Sequence, residues 1–223
     1  MRRTTLITLF GLAAIMTACM QSPEGDIATT GDAFTIDRET RGIPLSIDTS
    51  ASYIEWLGTK PGGNHYGTLS IKQGTIYTHE GEITGGTVIL DMTSIKVDDI
   101  KNPGTNQALV NHLLSNDFFH VDSFPTGYFD IAQVAPLTNA PPESNSTHSV
   151  TGNLTLKGIT KGINFTTNIE VADNRLHAKT PQFVLDRTNW NVNYGSRSVF
   201  ANLKDNFIHD EMAMKIHLVA KNE

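Results

Sequence analysis

Apolar side chains along most of this chain recur at every second position, the period of a β-strand with one buried face. Leu45 and Ile47 alternate with Ser46 and Asp48, and Ile54 and Trp56 share a face in the segment that follows. Leu69, Ile71 and Ile76 extend the pattern over 65–77, with Gly74 marking a bulge. Val88, Leu90 and Met92 follow after the Gly85-Gly86 interruption. Later runs carry Phe129 with Ile131, then Val150 with Leu154 and Leu156, then Ile163, Phe165, Ile169 and Val171. A weaker strand over 175–185 ends in Phe183 and Leu185, and a last one over 207–220 places Met212, Met214, Ile216 and Leu218 on one face.

One stretch breaks the period. Leu109, Val110, Leu113 and Leu114 recur at one-turn spacing and predict a short helix beginning near Asn106. Asn102-Pro103-Gly104 ends the preceding strand, and Phe124-Pro125 forces the chain back into extended backbone. About eight strands joined mostly by short turns predict an all-β fold: an up-and-down antiparallel barrel with one short helix covering it. Such a barrel has an interior wide enough for its own side chains or for one small ligand. A two-layer sandwich fits the same periodicity.

The first 42 residues do not share this pattern. Arg2-Arg3 followed by the apolar run Leu6 to Met16 predicts a secretory signal over 1–18. Met16-Thr17-Ala18-Cys19 resembles a bacterial lipobox, so Cys19 is the expected site of lipidation and the expected membrane anchor. As the single cysteine of the chain, Cys19 has no internal disulfide partner. Residues 19–42 are polar and aperiodic and read as a flexible tether, leaving 43–223 as the barrel domain.

The formal net charge of −6, with no basic patch, argues against nucleic acid as a partner. No nucleophile elbow, His-Glu-x-x-His pair or phosphate loop is present, so no catalytic residues are assigned and the chain does not read as an enzyme. Eight histidines are dispersed without the close pairs of a zinc site. The His209-Asp210-Glu211 group reads as a solvated turn, and neither a metal nor a cofactor is expected. His112, on the helix, is expected to make a structural hydrogen bond.

Several motifs in order resemble the YceI-like family. They are His65-x-Gly67, His112-Leu113, Asp117-Phe118-Phe119, Phe124-Pro125-Thr126 with Phe129, the run Val150 to Lys161, and Asp186-Arg187-Thr188. Where the family usually continues with a Phe-Gly pair, this chain has Trp190-Asn191. The resemblance spans about residues 45–220. It implies a lipocalin-like barrel, periplasmic or secreted, holding the polyprenyl or quinone tail of an isoprenoid lipid. Its expected lining is Trp56, Leu69, Leu90, Phe129, Leu156, Phe165, Met212 and Met214. Asp186 and Arg187 are candidates for a head-group clamp or, on the plainer reading, anchors of the crossover before the last strand. With the anchor at Cys19, the expected place is the bacterial envelope, at the outer membrane and facing the periplasm or surface. Two alternatives stay open at this point: an enzyme or stress factor acting on such a lipid, and a scaffold whose interior is filled.

Overall fold

In the computed structural model, residues 21–36, 42–138 and 145–222 are described. The expected signal segment, Cys19 and part of the loop after Pro136 lie outside them. The elements are β1 (Asp26–Ile27), β2 (Thr29–Gly31), β3 (Ile43–Ile47), β4 (Tyr53–Lys60), β5 (Gly63–His79) and β6 (Glu82–Val97). They continue with α1 (Pro103–Leu114), β7 (Thr126–Pro136), β8 (His148–Leu156), β9 (Ile159–Ala172), β10 (Arg175–Lys179), β11 (Phe183–Asp186) and β12 (Glu211–Lys221).

Antiparallel pairing runs in chain order from β5 to β10 and on to β12, which closes the ring by pairing with both β4 and β3. β3 and β4 share one place in the wall, since both lie between β12 and β5. β10 and β11 share another, both pairing with β12. The wall therefore has eight ring-bonded positions over the described residues, and it is the expected barrel rather than a sandwich. A closed ring leaves no long edge to pair with other chains.

Two strands are longer than the apolar pattern indicates. β5 and β6 have 17 and 16 residues and pair along their length with three slips in register. Gly74 sits in this region for a steric reason: a Cβ there would lie 2.6 Å from the Thr87 carbonyl oxygen and 2.5 Å from Ile47. At the other end of β5, a Cβ on Gly67 would fall 1.8 Å from the Lys96 oxygen. That close crossing brings the Trp56 indole N–H to the same carbonyl, at 3.2 Å.

The helix begins three residues earlier than its apolar spacing suggests. Asn102 and Pro103, read as strand breakers, are its N-cap and first residue: the Asn102 side chain accepts the Thr105 N–H at 3.0 Å, and proline at the first position loses no helical hydrogen bond. The Asn106 amide donates to the Val97 and Ile100 carbonyls, tying α1 to the end of β6. Leu113 is the fully buried residue of the apolar face, while Leu109, Val110 and Leu114 pack on the core from its margin.

Part of the segment expected as a flexible tether, residues 26–31, is paired into the sheet. Asp26–Ile27 pair in parallel with β11, and Thr29–Gly31 pair antiparallel with β9. The sequence gives no periodic sign of this because backbone hydrogen bonds hold the segment. Ala28 is its buried apolar residue, whereas Ile27 is 85% exposed.

Because Leu113 is the most buried of the side chains through which the helix meets the core, Leu113→Ala should cost about 2–5 kcal/mol. Chemical denaturation would show this as a lower midpoint with an unchanged slope. An unchanged midpoint would mean that the helix contributes no buried contact.

Candidate functional site

The barrel is hollow. A cavity of about 570 Å³ runs along its interior, within the range of small-molecule sites. Its walls come from the inward positions of every long strand. Trp56, Leu69 and Leu90 line it from β4, β5 and β6, Phe129 and Leu156 from β7 and β8, and Phe165, Met212 and Met214 from β9 and β12. The structure brings together all eight residues expected on the wall. The hollow has a physical cause. Most of the lining between the ends is medium-sized aliphatic side chains, and three of the rings that border the cavity, Phe129, Phe165 and Phe183, lie on one another. Phe129 tilts onto Phe165 at 5.7 Å between ring centres, and Phe165 stacks on Phe183 at 4.9 Å and 8°. Rings stacked along the wall do not fill the centre.

One end is roofed. Leu109, His112, Leu113, Phe118 and Phe119 reach it from α1 and the turn after it, and Trp190, Val192 and Tyr194 from the long crossover between β11 and β12. Among the described residues the His112 ring has no hydrogen bond of the expected structural kind. It meets the edges of Phe118 and Tyr194 at 5.0 and 4.5 Å, borders the cavity, and lies 3.7 Å from Asp117.

Arg187 holds the crossover in place. Its side chain is buried beside Phe118. Nε donates to the His209 carbonyl, Nη1 to Val192 and Nη2 to Ile208. Burial pushes the guanidinium below its ordinary pKa, opposed by Asp210, Asp186 and Glu211, of which Asp210 lies 3.6 Å away. It remains a cation. A guanidinium has five N–H bonds. Three are committed to the crossover, and the group borders the cavity. Asp186 is not part of this wall. It is exposed, and its carboxylate caps the 3-10 turn Arg187–Trp190 by accepting the Thr188 N–H at 2.9 Å. The plainer reading of this pair therefore describes both residues, and Arg187 alone faces the interior.

Polar groups gather at the roofed end. Thr59, Lys60, His65, Asp205 and Asn206 border the cavity there with Arg187, whereas Thr167 and Thr180 are the polar residues of the opposite half. The Thr59 hydroxyl is buried and has no hydrogen-bond partner among the described residues. His65 is oriented by Asp99, Nδ1 to Oδ2 at 2.8 Å, and the same carboxylate accepts the Tyr66 N–H.

The sequence matches the YceI-like domain over residues 45–220, most of its length. The chain belongs to this family. Among solved structures, BcnA of Burkholderia cenocepacia is similar at 18% identity and a TM-score of 0.58, covering 78% of this chain and 99% of its own. A polyisoprenoid binding domain from Saccharophagus degradans, implicated in plant cell wall breakdown, is similar at 11% identity and a TM-score of 0.56, covering 80% and 98%. A comparison with curated proteins gave no match.

The YceI-like motifs have structural reasons here. Lys157-Gly158, both at positive φ, form the two-residue turn of the β8–β9 hairpin, and Gly158 supports the Phe124 ring. Asp117-Phe118-Phe119 supplies roof rings. The Trp190-Asn191 pair, where this chain departs from the motif, closes the 3-10 turn Arg187–Trp190. Asn191 takes the left-handed conformation, φ 55° and ψ 33°, which asparagine tolerates better than other non-glycine residues. Trp190 is 1% exposed and donates its indole N–H to the Leu154 carbonyl at 2.9 Å. Pattern reading missed Trp190, Val192 and Tyr194 because the crossover has no period.

The Asp99 carboxyl gives a pH test. Partial burial pushes its pKa up, but the His65 ring and the Tyr66 N–H outweigh this and hold it below the ordinary value. A carboxylate with a depressed folded pKa gives stability that is complete above its unfolded pKa, about 3.9, and is lost as pH falls through the folded value. Asp99→Asn should therefore be less stable than wild type at neutral pH, with the gap narrowing below about pH 4. A gap that stays constant with pH would remove Asp99 from this role.

Proposed function

We propose that the protein binds an isoprenoid lipid, with its tail along the barrel cavity and its polar end at the roof beside Arg187. The observation that carries this reading is the cavity itself: apolar along its walls, with polar groups concentrated at one end. A tail needs only apolar surface. Burial of one five-carbon unit contributes roughly 3 kcal/mol, so several units exceed the cost of association. A head-group oxygen would find the buried Thr59 hydroxyl and the Arg187 guanidinium that borders the cavity. The Saccharophagus relative, described as a polyisoprenoid binding domain, supports the same class of ligand. The role is carriage or storage rather than catalysis. With Cys19 acylated, the protein would act at the bacterial envelope, held on the outer membrane.

Organic extraction of the purified protein followed by mass spectrometry tests the ligand. Wild type should release a polyprenyl or quinone species. Met214→Trp, which adds bulk to the wall without adding charge, should remain folded and release at least about tenfold less, since added volume displaces ligand before it strains a hollow interior. A folded Met214→Trp variant that carries lipid as wild type does would remove Met214 from the ligand path, and extracts free of isoprenoid would count against the ligand class.

The anchor has its own test. Cys19→Ser should move the processed protein from the membrane pellet to the soluble fraction, because acyl chains contribute about 0.8 kcal/mol per buried methylene. Continued sedimentation with membranes would contradict a lipid anchor at Cys19.

A further inference from the structure

The barrel wall splays on one side. β9 and β10 pair only over Asn168 to Ala172 and Arg175 to Lys179. Beyond that, toward the roof, β11 continues along β12 while β9 continues along β8, and no pairing joins β9 to β11 among the described residues. The wedge between them is filled by residues 24–34, with β1 on the β11 edge and β2 on the β9 edge. Inside, the wedge is spanned by side chains: Phe165 of β9 stacks on Phe183 of β11, and both rings line the cavity.

The filling segment is held lightly. Its ladders cover two and three residues. The Asn153 amide clasps its end, accepting the Phe34 N–H at 2.8 Å and donating to the Phe34 carbonyl at 2.9 Å. Ala28 is its buried apolar side chain, and its N–H donates to the Val184 carbonyl at 3.0 Å. The Phe34 ring lies against Gly162, where a Cβ would come within 2.5 Å, but is itself exposed. Short ladders with little apolar burial open at lower free energy than the rest of a fold. The segment also lies outside the part of the chain that matches the YceI-like domain.

We infer that the wedge between β9 and β11 is a lateral port for the tail of an isoprenoid lipid, and that residues 24–34 are its removable closure. Displacement of the segment breaks two short ladders, the Asn153 clasp on Phe34 and the Gln182 side-chain bond to the Glu24 carbonyl, and leaves the Phe165–Phe183 stack as the barrier. Rotation of two rings then opens the wall along the cavity rather than at its end. A long apolar chain can pass sideways through such an opening without being threaded past the roof. This inference rests on the isoprenoid reading, and it is specific about the route.

Thr29 and Asn164 are register partners across β2 and β9. In a Cys19→Ser background, Thr29→Cys with Asn164→Cys allows the segment to be locked by oxidation. Uptake of geranylgeraniol by delipidated protein is followed by tryptophan fluorescence, since Trp56 lines the cavity. The oxidised lock should slow uptake at least about tenfold, with equilibrium affinity unchanged and the rate restored by reductant. Ala28→Glu, which places a charge at the one buried position, should speed uptake without a lock and decides the matter if the disulfide does not form. Equal uptake by oxidised and reduced protein, or an unaltered rate in Ala28→Glu, overturns the port and leaves the ligand class standing. Failure of the reduced protein to bind geranylgeraniol at all overturns both.

Discussion

The structure depends on a mismatch between backbone and side chains. A ring of eight wall positions, closed by backbone hydrogen bonds, fixes the interior width. The side chains pointing inward do not fill that width. A protein interior ordinarily packs as densely as an organic crystal. Here the rings of Phe129, Phe165 and Phe183 lie on one another along the wall, and the centre is left as a cavity.

The roof answers the problem that the hollow creates. An open apolar tube would fill with water or attract other chains, so the end near α1 is covered by two segments with no strand pattern. Each is fixed by directed polar contacts at its base. Asn102 and Asn106 fix α1, and Arg187 gathers the carbonyls of Val192, Ile208 and His209 beneath the crossover. The same guanidinium is the most buried charge bordering the cavity among the described residues, so one residue holds the crossover and polarises that end of the cavity. Loss of its charge would affect both, and a double-mutant comparison with Thr59 would separate them.

Period-two alternation made the strands, the barrel and eight of the wall residues legible in the sequence, because burying one face of a strand leaves that trace and little else does. Met214 and Phe165 were readable for this reason. Asn102-Pro103 was read as an interruption because a helix cap and a strand breaker use the same residues. Asp186 was placed with Arg187 by adjacency, yet neighbouring residues at a strand end face opposite ways, and it caps a turn outside the cavity. Trp190 and the segment over 24–34 left no periodic trace. One is a buried ring within a crossover, its indole N–H bonded to the Leu154 carbonyl, and the other is held mainly by backbone pairing.

The central claim is that burial of an apolar chain in the cavity carries the binding. It is tested most directly by measuring the affinity of delipidated protein for geraniol, farnesol and geranylgeraniol, which share a head group and differ by one isoprene unit each. Each added unit should tighten binding at least about tenfold, equivalent to 1.4 kcal/mol or more. An affinity that does not change with chain length would contradict the account, since the head group and not the tail would then be what the protein recognises.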